Sequence, residues 1–206
     1  MFGFIVNEVR TMQGVTLLGD RVAEVRPFPV PDPAPDDVVF AVRSAGICGS
    51  DLHFYRDTPE GLGIRRGVVI GHEPAGVVCA VGGAVTGFRP GDRVAVNHTL
   101  GCGGCEYCRS GYTVLCPDTT GMAAAEYVAM PERNCFHLPE ELGFIDGSFL
   151  ACTGATAYGA LRNARTSARD RVVVYGLGPV GLSVSLVARA FGCRVAGVEV
   201  NADRLA

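Results

Sequence analysis

Residues 171–200 read RVVVYGLGPVGLSVSLVARAFGCRVAGVEV. Arg171-Val172-Val173-Val174-Tyr175 is a β-branched, apolar run of strand length that ends at a glycine. Gly176-Leu177-Gly178-Pro179-Val180-Gly181 then forms a turn, Leu182 to Phe191 reads as a helix, and Arg194 to Val200 is a second buried strand. A strand, turn, helix and strand in that order predict a βαβ unit. Parallel strands covered on both faces produce such unbroken apolar runs, so the chain is expected to be an α/β protein.

The turn inside this unit fits G-x-G-x-x-G, with Gly176, Gly178 and Gly181 at the three glycine positions. Such glycines let the backbone approach a pyrophosphate, and the helix that follows offers free N–H groups and a positive dipole end. Glu199 ends the second strand, 18 residues after Gly181, where a carboxylate can accept hydrogen bonds from the adenosine ribose hydroxyls. A carboxylate there repels a 2′-phosphate, which favours NAD over NADP. The competing reading is a glycine-rich turn of another α/β protein.

Upstream of residue 171 the sequence has a different character. Thr153 to Arg165 reads as a helix, and Pro139-Glu140-Glu141 opens an earlier one with proline and acids in its first turn. Before these lie short apolar runs separated by turns: Val38–Val42, Val68–Ile70, Gly76–Cys79, Arg93–Val96 and Glu126–Met130. They predict a compact β-rich domain over residues 1–153, with the start of a parallel-sheet domain over 154–206. Pro27 to Pro35 carries a proline at every second position and is expected to be an extended surface connection.

Within the β-rich part, Cys102, Cys105, Cys108 and Cys116 follow C-x2-C-x2-C-x7-C. Four soft thiolates complete a tetrahedral shell for zinc and leave no open position, so this metal would be structural. Gly101, Gly103, Gly104 and Gly111 suit a loop that turns around an ion. Disulfides and an iron–sulfur cluster are the competing readings.

The 206 residues are 48% apolar and 19% charged, with a net charge of -3, which argues against a nucleic-acid surface. The longest uncharged run is broken by Gly176, Gly178, Pro179 and Gly181, so no membrane span is expected. The first residues, Met1 to Glu8, lack a positive n-region and cleavage site. With cysteines spaced for metal rather than disulfides, a cytoplasmic protein is expected.

Two further segments carry ligand-type side chains at turns: Gly46-Ile47-Cys48-Gly49-Ser50-Asp51-Leu52-His53 and Gly71-His72-Glu73-Pro74-Ala75-Gly76. Spacing alone does not join them. Cys48 is open to a core role and His72 to a simple hydrogen-bonding role. His98, just before the cysteine loop, is open to a role as an exchange ligand but reads first as a surface residue, His137 has no partner by spacing, and Cys79, Cys135 and Cys193 read as core thiols.

Taken in order, the Cys48 segment, Gly71-His72-Glu73-x-x-Gly76 with Gly82 and Val85, the four-cysteine loop and the GLGPVG turn resemble the zinc-containing alcohol dehydrogenases of the medium-chain dehydrogenase/reductase superfamily. The resemblance spans nearly the whole chain. It implies a GroES-like catalytic domain followed by the start of a Rossmann domain, two zinc ions and NAD. It also implies hydride transfer from an alcohol to NAD, giving an aldehyde or ketone, with a small-molecule alcohol or carbonyl as substrate. By the family's pattern Cys48, His72 and Cys152 hold a catalytic zinc. Ser50 touches the substrate oxygen, His53 ends a proton relay, Asp51 orients His72, and Glu73 stands near the metal. Arg204 matches a basic position near the adenosine ribose, and an ordinary solvated helix charge is its competing reading. Relatives of this family are expected to be homo-oligomers.

Similar enzymes are longer than this sequence, and the interval from Cys116 to Glu126 looks short. The expectation is a truncated member, weak or inactive alone. Cys152 favours an alcohol dehydrogenase, since similar polyol and sugar dehydrogenases often carry glutamate there. A zinc-free quinone reductase of the same fold is disfavoured by the cysteines.

Overall fold

The structure is a computed structural model and describes residues 10–62, 69–118 and 125–205. The Met1–Glu8 segment, Val68 and most of the short interval after Cys116 lie outside the described residues. The chain divides into two compact units, Met1–Ser148 and Phe149–Ala206.

The first unit opens with a hairpin of β1 (Thr11–Gly19) and β2 (Val22–Pro29), paired antiparallel from Thr11↔Pro29 to Gly19↔Val22. Sequence reading misses this hairpin because β2 is exposed at nearly every position and has Pro27 and Pro29 at its end. Proline is tolerated there because an edge strand need not donate outward. Of the stretch expected to be an extended connection, residues 27–29 belong to β2, residues 30–34 carry no regular structure and residues 35–36 form a turn.

The main sheet has five strands: β3 (Asp37–Gly46), β4 (Glu73–Val81), β5 (Arg93–Val96), β6 (Tyr127–Pro131) and β7 (Cys135–His137). They lie in the order β6-β3-β4-β5-β7, all antiparallel. Val38, Val39 and Phe40 are successively buried because β3 is paired on both edges and covered on both faces. With Leu17, Val94 and Met130 they are the largest fully enclosed apolar side chains, each worth about 1.5–3 kcal/mol of burial. Register shifts between Val39 and Phe40 and between Val42 and Ser44 bend β3 against β4.

Short helices fill the connections: α1 (Gly49–Arg56), α2 (Pro59–Leu62), α3 (Glu106–Arg109) and α4 (Phe144–Phe149). The helix expected to open at Pro139 instead starts at Phe144. Arg93 donates to the carbonyls of Pro139 and Leu142, both at 2.6 Å, and lies over the Phe144 ring, which holds 139–142 as a turn. His137 does find a partner: its ring stacks on Phe88 at 4.2 Å.

In the second unit a π-helical turn, Leu150–Gly154, leads into α5 (Ala155–Asn163). The βαβ unit follows in the expected order: β8 (Arg171–Tyr175), α6 (Pro179–Ala190) and β9 (Arg194–Val198), but both strands are mostly exposed rather than buried, and β9 stops before Glu199. Its strands pair in parallel from Arg171↔Arg194 to Tyr175↔Val198. Leu161, Ala188 and Cys193 form its buried centre, packed by Val172, Val184, Val187, Phe191 and Val195. Among the described residues no helix is long and apolar enough to cross a membrane.

Candidate active site

Strand pairing explains how residues far apart in sequence meet. The β3–β4 ladder ends at Gly46↔Glu73. The carboxyl end of β3 and the amino end of β4 are therefore neighbours, and the turns carrying Cys48 and His72 lie at the same end of these two central strands. The ligand-capable atoms of Cys48, His72 and Glu73 all lie within 4.8 Å of one another. Gly46 is required beside them, because a Cβ there would strike the Glu73 carboxylate.

Cys48 caps α1, and Asp51 turns back to it: Asp51 Oδ2 accepts from the Cys48 N–H at 2.8 Å. Asp51 Oδ1 faces His72 Nδ1 at 3.5 Å, while His72 Nε2 lies 4.0 Å from Glu73 Oε1. Asp51 is 4% exposed. That burial raises its pKa, but the hydrogen bonds from His72 and from the Cys48 and Gly71 N–H groups outweigh it and hold the carboxyl below its usual range. Burial likewise works against the Cys48 thiolate, yet hydrogen bonds from Ser50 and His72 bring the net shift downward. A nitrogen held toward Asp51 leaves the other imidazole nitrogen toward Glu73 and Cys48, the usual arrangement of a metal-ligating histidine.

Glu73 Oε1 is buried and has no hydrogen-bond partner among the described residues. An unpaired buried carboxylate oxygen is costly, and a cation among these donors would satisfy it. The donor set of thiolate, imidazole and carboxylate suits zinc. Ser50 and His53 lie on α1 at i and i+3 and share a face, with His53 exposed. Cys152 lies half-buried in the Leu150–Gly154 turn that begins the second unit.

The four-cysteine group is assembled as its spacing predicts. The sulfurs of Cys102, Cys105, Cys108 and Cys116 lie within 4.8 Å of one another. Backbone N–H groups point at them: Cys102 N–H to Cys116, Cys105 N–H to Cys102 and Cys108 N–H to Cys105, at 3.3–3.5 Å. Such donors favour thiolate, and those of Gly104 and Cys105 bring Cys102 down to about 7. Cys108 is pushed up to about 12 by desolvation and by the other three sulfurs. Four thiolates so close would need a cation between them, so the loop fits a structural metal. Gly103 and Gly111 hold φ of 77° and 85°, and a Cβ on Gly101 would strike the Cys108 sulfur.

In the second unit Gly176 takes φ of 87°, Gly178 caps α6 and Pro179 opens it. A Cβ on Gly181 would collide with the Gly176 carbonyl, so the third glycine is what allows helix and turn to close. Glu199 ties this turn to the end of β9. Its carboxylate accepts from the N–H groups of Leu177 at 2.7 Å, Val200 at 2.8 Å and Asn201 at 3.0 Å. The bonds from Asn201 and Leu177 are the main reason its pKa falls to about 2. Arg204 Nη1 stands 3.6 Å from Oε2. About three of the carboxylate's four lone-pair sites are thus engaged within the protein, which sequence reading did not anticipate.

His98 is the residue that sequence reading underrates. Its ring lies 4.8 Å from that of His72, inclined at 50°. Cys79 is exposed rather than core, whereas Cys135 and Cys193 are buried.

Comparison with known proteins fits these arrangements. Residues 34–140 match the Alcohol dehydrogenase GroES-like domain. The chain is 36% identical over 214 aligned residues to the zinc-type alcohol dehydrogenase-like protein YphC of Escherichia coli (strain K12), covering 96% of this chain and 60% of that protein. It is 37% identical to a probable D-xylulose reductase A of Aspergillus terreus, covering 86% of this chain and 53% of that one. Among solved structures, alcohol dehydrogenase TADH from Thermus sp. ATN1 superposes with a TM-score of 0.85 at 32% identity, over 94% of this chain and 60% of that chain. The chain spans 53–60% of the length of these proteins. With the GroES-like domain over 34–140 and the βαβ unit after it, the chain belongs to the zinc-type alcohol dehydrogenase family of the medium-chain dehydrogenase/reductase superfamily.

Proposed function

We propose that this chain carries the metal-binding and part of the NAD-binding apparatus of a zinc-dependent dehydrogenase that interconverts an alcohol with its aldehyde or ketone. The observation that carries this reading is the convergence of Cys48, His72 and Glu73, whose buried Oε1 has no hydrogen-bond partner among the described residues, at one end of the β3–β4 ladder. In this reading Cys48 and His72 hold a catalytic zinc with Cys152, the last assigned by the family's pattern, and the four-cysteine loop holds a structural one. Zinc bound there supplies polarisation of an alcohol or carbonyl oxygen, and NAD supplies the hydride acceptor.

The chain's own residues divide the remaining work. Asp51 fixes the His72 ring so that Nε2 presents its lone pair. Ser50 Oγ takes the proton of a substrate hydroxyl and passes it toward His53, whose exposure lets it exchange with solvent. Gly176, Gly178 and Gly181 open the helix end to a pyrophosphate. Glu199, kept ionised by the N–H groups around it, has one lone-pair site left for the ribose and repels a 2′-phosphate, so NAD is the expected cofactor. Arg204 lies beside the same ribose site.

A polyol and its ketose are the second reading of the substrate, favoured by the likeness to a probable D-xylulose reductase. The test is zinc per chain on purified protein, with NAD-linked turnover of primary, secondary and polyol alcohols. Two zincs are expected, with Cys48→Ser removing one together with turnover, and Cys105→Ser removing the other. Two zincs with no turnover of any of these alcohols would sink the activity reading for this chain. One zinc, released only by Cys105→Ser, would mean that the Cys48 site does not bind metal.

A further inference from the structure

We propose that His98 is a positioning residue that sets the ring plane of His72; the inference rests on the reading of His72 as a metal ligand. The β4–β5 ladder pairs Ala75↔Ala95, Gly76↔Val94 and Val77↔Arg93. Continued past the end of β5, that register sets His98 opposite His72. The rings do meet there, 4.8 Å between centroids at 50°, within the range of tilted aromatic contacts.

The segment that presents His98 is held on both sides. Asn97 N–H donates to the Asn134 carbonyl at 2.8 Å. The Asn134 side-chain amide donates to the carbonyls of Asn97 and Thr99, each at 2.9 Å. Thr99 N–H returns to Asn97 Oδ1 at 3.1 Å and closes a turn around His98. Asn134 itself is 7% exposed, so its amide is largely shielded from water. Its neighbour Arg133 donates to the Gly101 carbonyl at 3.2 Å, at the foot of the four-cysteine loop.

Asp51 and His98 both act on the His72 ring. Asp51 holds one edge by its Nδ1, a single contact that does not by itself set the ring plane, and His98 packs beside the ring and helps to set it. A ligand ring held in plane has less orientation to lose when it takes a metal, and partners behind ligands commonly change metal affinity by about 10–100-fold. Residues 133–134 thus hold both the 97–99 turn and the Gly101 carbonyl at the start of the cysteine loop.

The test is titration of the metal-free 206-residue chain with Co2+ alone, read by its thiolate charge-transfer and d–d absorption. Cys48→Ser isolates the cysteine-loop signal, and the difference from the parent defines the Cys48–His72 component. His98→Ala should weaken that component about tenfold or more and shift its d–d bands, leaving the loop signal unchanged. His98→Phe, which keeps a packed ring without ligand atoms, should restore both. Parent affinity and bands in His98→Ala would overturn the proposal, as would a loss that His98→Phe fails to restore. If the parent and Cys48→Ser bind equal Co2+, the reading of His72 as ligand fails, and the role of His98 falls with it.

Discussion

Replacing Asn134 tests whether the clamp on residues 97–99 is a hydrogen-bonded device or only packing. Both partners of the side-chain nitrogen are backbone carbonyls, of Asn97 and Thr99, so the amide must point its N–H2 at them. Asn134→Ala removes two hydrogen bonds of 2.9 Å from a side chain 7% exposed. At about 1 kcal/mol net for each, and with the half-exposed carbonyls regaining some water, the loss is about 2 kcal/mol. Asn134→Asp keeps the shape but sets a carboxylate oxygen against two carbonyl oxygens, and should cost at least about 3 kcal/mol. The chain has no tryptophan, so urea unfolding is best followed by far-UV circular dichroism. With a urea slope of about 2 kcal/mol per molar, the midpoint should fall by about 1 M for alanine and further for aspartate. Packing alone would predict the reverse order, because aspartate is nearly isosteric. An aspartate variant as stable as the alanine variant, or more so, would refute the clamp.

The Glu199 carboxyl is held at about 2 by N–H donors, below its ordinary value of 4.5, so its contribution is present above that value and is lost as pH falls toward about 2. Thermal melts of the parent and Glu199→Gln should therefore differ most above about pH 5 and converge in acid, and parallel curves would contradict the assignment. Burial pushes the Cys135 thiol up to about 12 from 9.0, leaving about a thousandfold less thiolate than an ordinary cysteine. Exposed Cys79 should accordingly be alkylated by iodoacetamide well before Cys135 in the folded chain, and equal labelling by mass spectrometry would show that Cys135 is reached by solvent.

What could be read along the chain is what depends on neighbours in sequence. The strand, GLGPVG turn and helix of residues 171–190 are specified by β-branched runs and glycine positions, and the parallel pairing with β9 follows from the crossover. The cysteine loop is equally local, since four sulfurs spaced over 102–116 can meet only by folding that segment on itself. Local reading fails where a distant side chain overrules it. The turn at 139–142 is set by Arg93, and β2 shows no strand alternation because nearly all of it is exposed.

The Cys48 and His72 turns carry ligand chemistry in their residues, but nothing in their spacing says that they meet. That depends on which strands pair and in what register: β3 beside β4 ending at Gly46↔Glu73, and β5 aligned so that His98 falls opposite His72. The occupied state of the Glu199 carboxylate likewise depends on the turn at Leu177 closing over it. Residue type determined which groups are able to bind a metal or a phosphate. Only long-range pairing, a cooperative property of the whole sheet, decided which of them stand within reach of one another.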